Sequence, residues 1–181
     1  MVYYKKISIL NEKIIREKLN LFLDKNNYIQ SQDYGFIPLN LLDVVKFCPE
    51  LIFSLLNKGL KIKAISIYKT FNNNTIVHID DVKNLYKSRL NIPILNCENT
   101  HTIFYDAVPM PPVEQKHKNL KLIPCFNEIE VDRVTIDQPT IIRVDQPHRV
   151  LMDEKYFPRI CLTVKCDPDP IILLDKEQHI L

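Results

Sequence analysis

Two of the five histidines in this chain combine with a nearby carboxylate into a possible metal site. The segment Thr75-Ile-Val-His-Ile-Asp80 is rich in β-branched residues and reads as a strand. Residues two apart on a strand project to one face. His78 and Asp80 therefore point together, while Val77 and Ile79 point away. An imidazole and a carboxylate so placed can reach one ion. A third ligand is offered by His148, which opens the segment His148-Arg-Val-Leu-Met152 after the turn Asp145-Gln-Pro147. Two histidines and one carboxylate on one side of a ferrous ion leave its other positions open for substrate and oxygen. His-x-Asp is a weak motif by itself. The bland alternatives are a structural His–Asp hydrogen bond near a strand end, and a turn histidine on the surface after Pro147.

An arginine sharpens the pattern. Arg159 lies eleven positions after His148 and opens the strand Arg159-Ile-Cys-Leu-Thr-Val-Lys165. Alternation puts Arg159, Cys161 and Thr163 on one face and Ile160, Leu162 and Val164 on the other. An arginine turned into a barrel needs an anion, because an unpaired buried charge is costly. A dicarboxylate suits it, since a guanidinium grips a carboxylate with two parallel hydrogen bonds. The alternatives are a surface ion pair of Arg159 with Asp153 or Glu154, and Arg143 as the anion ligand instead. Asn96 closes the apolar face of Ile92 and Ile94 and can reach a cosubstrate carboxylate, or simply form a turn. Tyr105 and His101 share a face of Thr100–Asp106 and are candidates for a substrate pocket, with core packing and exposure as the alternatives. Asp81 points away from Asp80, and His117 and His179 fall in a polar loop and a tail, poor places for a rigid site.

These residues need a rigid β scaffold. Residues 60–167 supply it as short β-rich runs (61–70, 75–80, 90–96, 100–106, 127–136, 139–145, 148–152 and 159–166) broken by Asn, Asp and Pro turns. Such spacing predicts an all-β sandwich or barrel. The proline-rich stretch 107–120 is expected to be an exposed loop. Residues 1–59 read as helical support. One helix spans Asn11 to about Asp24, with Ile14, Ile15, Leu19, Phe22 and Leu23 at helical spacing and Asn11 as cap. A second begins at Pro49, runs through Leu51, Ile52, Leu55 and Leu56, and stops at Gly59. Residues 168–181 form a tail, and the whole is one domain, mainly β with helices packed outside.

Composition excludes several functions. With 24 basic and 22 acidic residues, the charge is balanced and gives no footprint for nucleic acid or an anionic membrane. No apolar run approaches a membrane span. Two glycines cannot build a phosphate-cradling loop. Five cysteines without a Cys-x-x-Cys argue against a disulfide framework or a thiolate zinc site and fit a reducing cytoplasm. The N-terminus has no apolar core of a signal peptide.

The order His78-Ile-Asp80, distal His148, then Arg159 resembles the iron(II)/2-oxoglutarate-dependent oxygenases, over roughly residues 60–167. The stretch Arg89–Asp106 also looks like the strand pair after His-x-Asp in small viral and bacterial members. The resemblance implies a double-stranded β-helix, a jelly-roll or cupin-like barrel. It implies Fe(II) held by His78, Asp80 and His148, and 2-oxoglutarate held by Arg159. Many relatives carry Ser or Thr two residues after the arginine, where this chain has Cys161, a weaker hydrogen-bonding group. The activity implied is hydroxylation of a small molecule or amino-acid side chain, free or in a peptide, with succinate and carbon dioxide as coproducts. Other readings of the same residues are a cupin-like metal enzyme without 2-oxoglutarate and a non-enzymatic β-barrel.

Overall fold

The computed structural model describes residues 1–71, 76–80, 86–115 and 120–175. Thr75, Asp81, His117 and His179 lie outside the described residues. The N-terminal part carries β1 (Tyr4–Lys6), α1 (Glu12–Lys25), β2 (Gly35–Pro38), α2 (Leu41–Phe47) and α3 (Pro49–Leu56). Helix α1 buries Ile15, Leu19, Phe22 and Leu23, the stripe its spacing predicts, while Ile14 stays exposed. Asn11 occupies the cap position but sits at φ 58° and its side chain makes no capping bond. Asparagine tolerates that left-handed backbone, so the residue turns the chain instead of capping it. Helix α3 begins at Pro49, and Gly59 follows it at φ +73°. The short β1, β2 and α2 carry no periodicity that a sequence reading could use. Asn40 does cap α2, accepting a hydrogen bond from the Leu42 amide.

The remaining chain is mainly β, as expected. It forms β3 (Lys61–Thr70), β4 (His78–Asp80), β5 (Ser88–Leu95), β6 (Thr100–Pro109), β7 (Val113–Gln115), β8 (Leu120–Thr135), β9 (Thr140–Arg143), β10 (His148–Met152) and β11 (Arg159–Asp167), then α4 (Ile172–Asp175). Two antiparallel sheets result, in the orders β1-β9-β5-β11-β3-β2 and β4-β10-β6-β8-β7, with β4 also paired to β8. The stretch 107–120 departs from the expected loop. Strand β6 continues to Pro109, and β7 pairs with β8 at the sheet edge. Prolines are compatible with an edge, where a missing N–H breaks no ladder. The segment after 167 is tied down as well, with Leu174 buried and Leu173 O accepting from Lys5 Nζ at 2.9 Å.

Strand alternation divides the six-stranded sheet into two unlike faces. Ile65, Ile67, Leu90, Ile92, Ile160, Leu162 and Val164 pack with Ile15, Leu19, Leu51 and Leu55 of the helices in one apolar core. Full burial of each such side chain contributes on the order of 2 kcal/mol, so this face fixes the register of β5 and β11. The other face then has no choice: Arg89, Asn91, Arg159, Cys161 and Thr163 must turn inward and line a cavity. Lys69, fully buried on β3, donates from Nζ to Tyr28 O, Ile29 O and Ser31 O at 2.7, 2.8 and 2.7 Å. It locks the turn after α1 onto the sheet. Among the described residues no helix is long and apolar enough to cross a membrane.

Candidate metal centre

His78 and His148 are direct partners across the β4–β10 pair. Their rings stand 4.7 Å apart, tilted by 48°. Each ring is oriented in the same way. His78 Nδ1 lies 2.8 Å from Ile76 O, and His148 Nδ1 lies 2.8 Å from Gln146 O. A carbonyl only accepts, so Nδ1 carries a proton in both rings and each Nε2 is the ring atom left to meet an ion, as in metal-ligating histidines. Asp80 lies on the same face as His78, with Oδ1 at 3.6 Å from His78 Nε2. One donor atom from each of the three residues lies within 4.8 Å of the others. Ligands bonded to one ion at about 2.1 Å stand about 3–3.5 Å apart, so an ion held by all three would draw the widest pair in by about an ångström.

His148 is buried. Burial, and then the neighbouring His78, push its pKa down to about 4. It is therefore a neutral ligand at neutral pH. The donor set of two imidazoles and one carboxylate suits iron(II) and other first-row divalent ions.

The three residues open on a cavity of about 60 Å³ whose wall also includes Tyr68, Arg89, Thr102, Arg159 and Thr163. Arg159 is only 1% exposed. Its Nε donates to Thr100 Oγ1 at 3.0 Å, and Thr100 passes its own hydrogen to Cys97 O at 2.7 Å. Arg159 Nη1 is buried and has no hydrogen-bond partner among the described residues. Among the described residues no carboxylate forms an ion pair with it; the flat ring of Tyr68 lies 5.9 Å away. Cys97 and Cys161 flank it. Cys97 Sγ donates to Ile160 O at 3.1 Å. Burial pushes Cys161 up, and its Sγ faces Ile92 O at 3.4 Å.

The other residues singled out in the sequence fall elsewhere. Arg143 is engaged with Asp145 through two hydrogen bonds of 2.9 and 2.7 Å and does not line the cavity. Asn96 sits just past β5 at φ 54°, and its amide donates to Pro158 O at 2.9 Å. It forms a turn there, outside the cavity wall. Tyr105 and His101 are on the face of β6 opposite Thr102. Tyr105 packs with Val77, Ile103 and Cys125, under the Arg149 guanidinium at 5.4 Å, and His101 Nδ1 meets Thr135 Oγ1 at 2.9 Å. Both faces of β6 mix polar and apolar residues, so its sequence does not tell inside from outside. Sequence reading also passed over Arg89, Asn91, Tyr68 and Thr100. For Arg89 and Asn91 a signal existed, since both alternate with the apolar Leu90 and Ile92. No known family model matches the chain, and no curated protein sequence matches it.

Proposed function

We propose that this protein is an iron(II)- and 2-oxoglutarate-dependent oxygenase on a double-stranded β-helix, acting as a hydroxylase of a small molecule or amino-acid side chain. The observation that carries the reading is a buried guanidinium with an unpartnered Nη1 in the same cavity as a two-histidine, one-carboxylate cluster. An orphaned buried donor costs about 1–3 kcal/mol, more when charged, and a bound carboxylate would recover that cost. The strand order supports the fold. Strands β3, β5, β9 and β11 lie in one sheet and β4, β6, β8 and β10 in the other, as in a chain that winds back and forth between two sheets.

In this reading His78, Asp80 and His148 hold the metal, and the Ile76 and Gln146 carbonyls keep each Nε2 directed at it. Arg159 grips the distal carboxylate of the cosubstrate, with Thr100 fixing the Nε side of the guanidinium so that its other edge faces the cavity. Tyr68 stands beside it in the wall. Thr163 donates to Asn91 Oδ1 at 2.6 Å, which ties β11 to β5 beneath the site. The Cys161 thiol is directed at a backbone carbonyl, so the hydroxyl near the arginine comes from Thr100 on a different strand. The cavity is narrow and its charged walls are buried, which limits water near the reacting atoms. Iron(II) and 2-oxoglutarate together supply oxidation by dioxygen, one oxygen atom entering succinate as carbon dioxide leaves and the other entering the substrate.

The test is an anaerobic titration of the iron(II)-loaded protein with 2-oxoglutarate, followed by admission of air. The expected result is a weak visible charge-transfer band, then succinate release. Metal binding without the band, with activity that survives Arg159→Ala, would replace this reading by a cupin-like metal enzyme. No metal binding at all would leave a non-enzymatic barrel.

A further inference from the structure

We propose that Arg89 forms an anion subsite beside the metal centre, and that the primary substrate presents a carboxylate to it. The inference rests on the metal-and-cosubstrate reading above and names the substrate class for that site.

Arg89 lies on β5, where the packing of Leu90 and Ile92 against the helices turns it inward. It is 5% exposed and lines the cavity. A buried arginine in a protein interior is ordinarily satisfied by a carboxylate within hydrogen-bond length, and among the described residues Arg89 has none. Its Nη1 donates to Ser88 O at 3.1 Å and weakly to Tyr86 O at 3.4 Å, neutral acceptors in its own strand region. Its Nη2 stands 3.9 Å from Asp80 Oδ2, beyond hydrogen-bond length. Asp80 is also the carboxylate assigned to the metal.

Charge balance points the same way. The cavity wall holds two guanidinium groups, Arg89 and Arg159, against one carboxylate, Asp80. A divalent ion and a dianionic cosubstrate cancel each other, so one positive charge remains uncompensated in a buried space. Among the described residues, the charged groups behind the wall do not change this sum. Asp169 acts on Arg89 from behind the wall, and Arg89 in turn acts on Lys165, so the two described groups there carry one charge of each sign. Asp169 is moreover occupied, accepting from the Lys87 and Ile171 amides at 2.5 and 2.9 Å and from the Ser88 hydroxyl. A single negative charge on the substrate completes the balance.

Arg89 is also well separated from the cosubstrate anchor. Ile160 aligns with Leu95 and Val164 with Leu90 across β11 and β5. Arg159 and Arg89 therefore stand at opposite ends of the shared inner face, roughly 20 Å apart along the strands at about 3.3 Å per residue. With Arg89 next to Asp80, its guanidinium would flank an ion held by that carboxylate. An anion held there brings the rest of a small substrate next to the metal.

The test uses propionate and its neutral isostere propionamide on protein loaded with manganese(II) and saturated with 2-oxoglutarate. The readout is paramagnetic relaxation of the probe's methyl protons. Propionate is expected to be relaxed at least fivefold more strongly than propionamide. Arg89→Gln should abolish that difference while changing 2-oxoglutarate affinity less than threefold, and Arg89→Lys should retain part of it. Equal relaxation of the two probes in the unmodified protein overturns the proposal. So does an undiminished propionate effect in Arg89→Gln, or a tenfold loss of 2-oxoglutarate or manganese affinity in that variant, which would make Arg89 a support for the cosubstrate or for Asp80. If Arg89→Gln does not fold, the contrast between probes and the Arg89→Lys variant decide. Failure of the unmodified protein to bind manganese or 2-oxoglutarate removes both readings, whereas normal binding without the probe contrast removes this one alone.

Discussion

Replacing Arg159 by methionine should strengthen the fold and cripple the site at the same time. Arg159 is fully enclosed, makes one hydrogen bond to Thr100, and leaves Nη1 unsatisfied. Methionine has similar length and carries no charge. The substitution removes an uncompensated buried cation at the loss of one hydrogen bond of about 1 kcal/mol. Thr100 is not stranded, because its hydroxyl still donates to Cys97 O. Replacing buried charge by well-packed apolar atoms stabilises by about 1–3 kcal/mol. At this chain length that raises the melting temperature of the metal-free protein by about 2–4 °C per kcal/mol. The cosubstrate suffers the opposite effect. Two charge-assisted hydrogen bonds to a carboxylate, at about 1.5–3 kcal/mol each, amount to a loss of about 10²–10⁴-fold in affinity. Thermal unfolding of the apoprotein and anaerobic charge-transfer titration of Arg159→Met measure the two halves separately. A variant that is less stable by 1 kcal/mol or more and still binds 2-oxoglutarate normally would refute the reasoning, because Arg159 would then be a structural residue.

Acid should destabilise the metal-free protein in a defined window. His148 has its pKa pushed down to about 4 in the folded chain, from an ordinary value of 6.5. The unfolded chain therefore takes up this proton first as pH falls, and the stability present above pH 6.5 is progressively lost down to about pH 4. The shift corresponds to about 3 kcal/mol, read from urea unfolding at a series of pH values, and that part of the slope should be absent in His148→Gln. Lys69→Met should cost about 2–4 kcal/mol, since three carbonyls of the turn after α1 lose their common donor. Its manganese(II) affinity should be unchanged, because the turn lies on the helix side of the sheet.

The sequence by itself determined the periodic parts of this protein. The apolar stripe of α1, the proline start and glycine stop around α3, and the alternation of β11 all follow from local chemistry repeated over several residues. The pairing of His78 with Asp80 is of the same kind, because two residues on one strand face need no partner strand to share a direction. Tertiary structure decided the rest. His148 meets His78 only because β10 pairs with β4 in that register. Thr100 was chosen as the support of Arg159, and Arg143 was taken out of consideration by Asp145, through contacts that no spacing rule contains. Asn96, Tyr105 and His101 are of types that suit a cavity as well as a turn, a core or a surface, and the fold places Asn96 at a turn and the other two on the outer face of β6. Alternation states which residues share a face. Only the packing of helices against one side of the sheet states which face is inside, and that same packing turned Arg89 towards the candidate metal site.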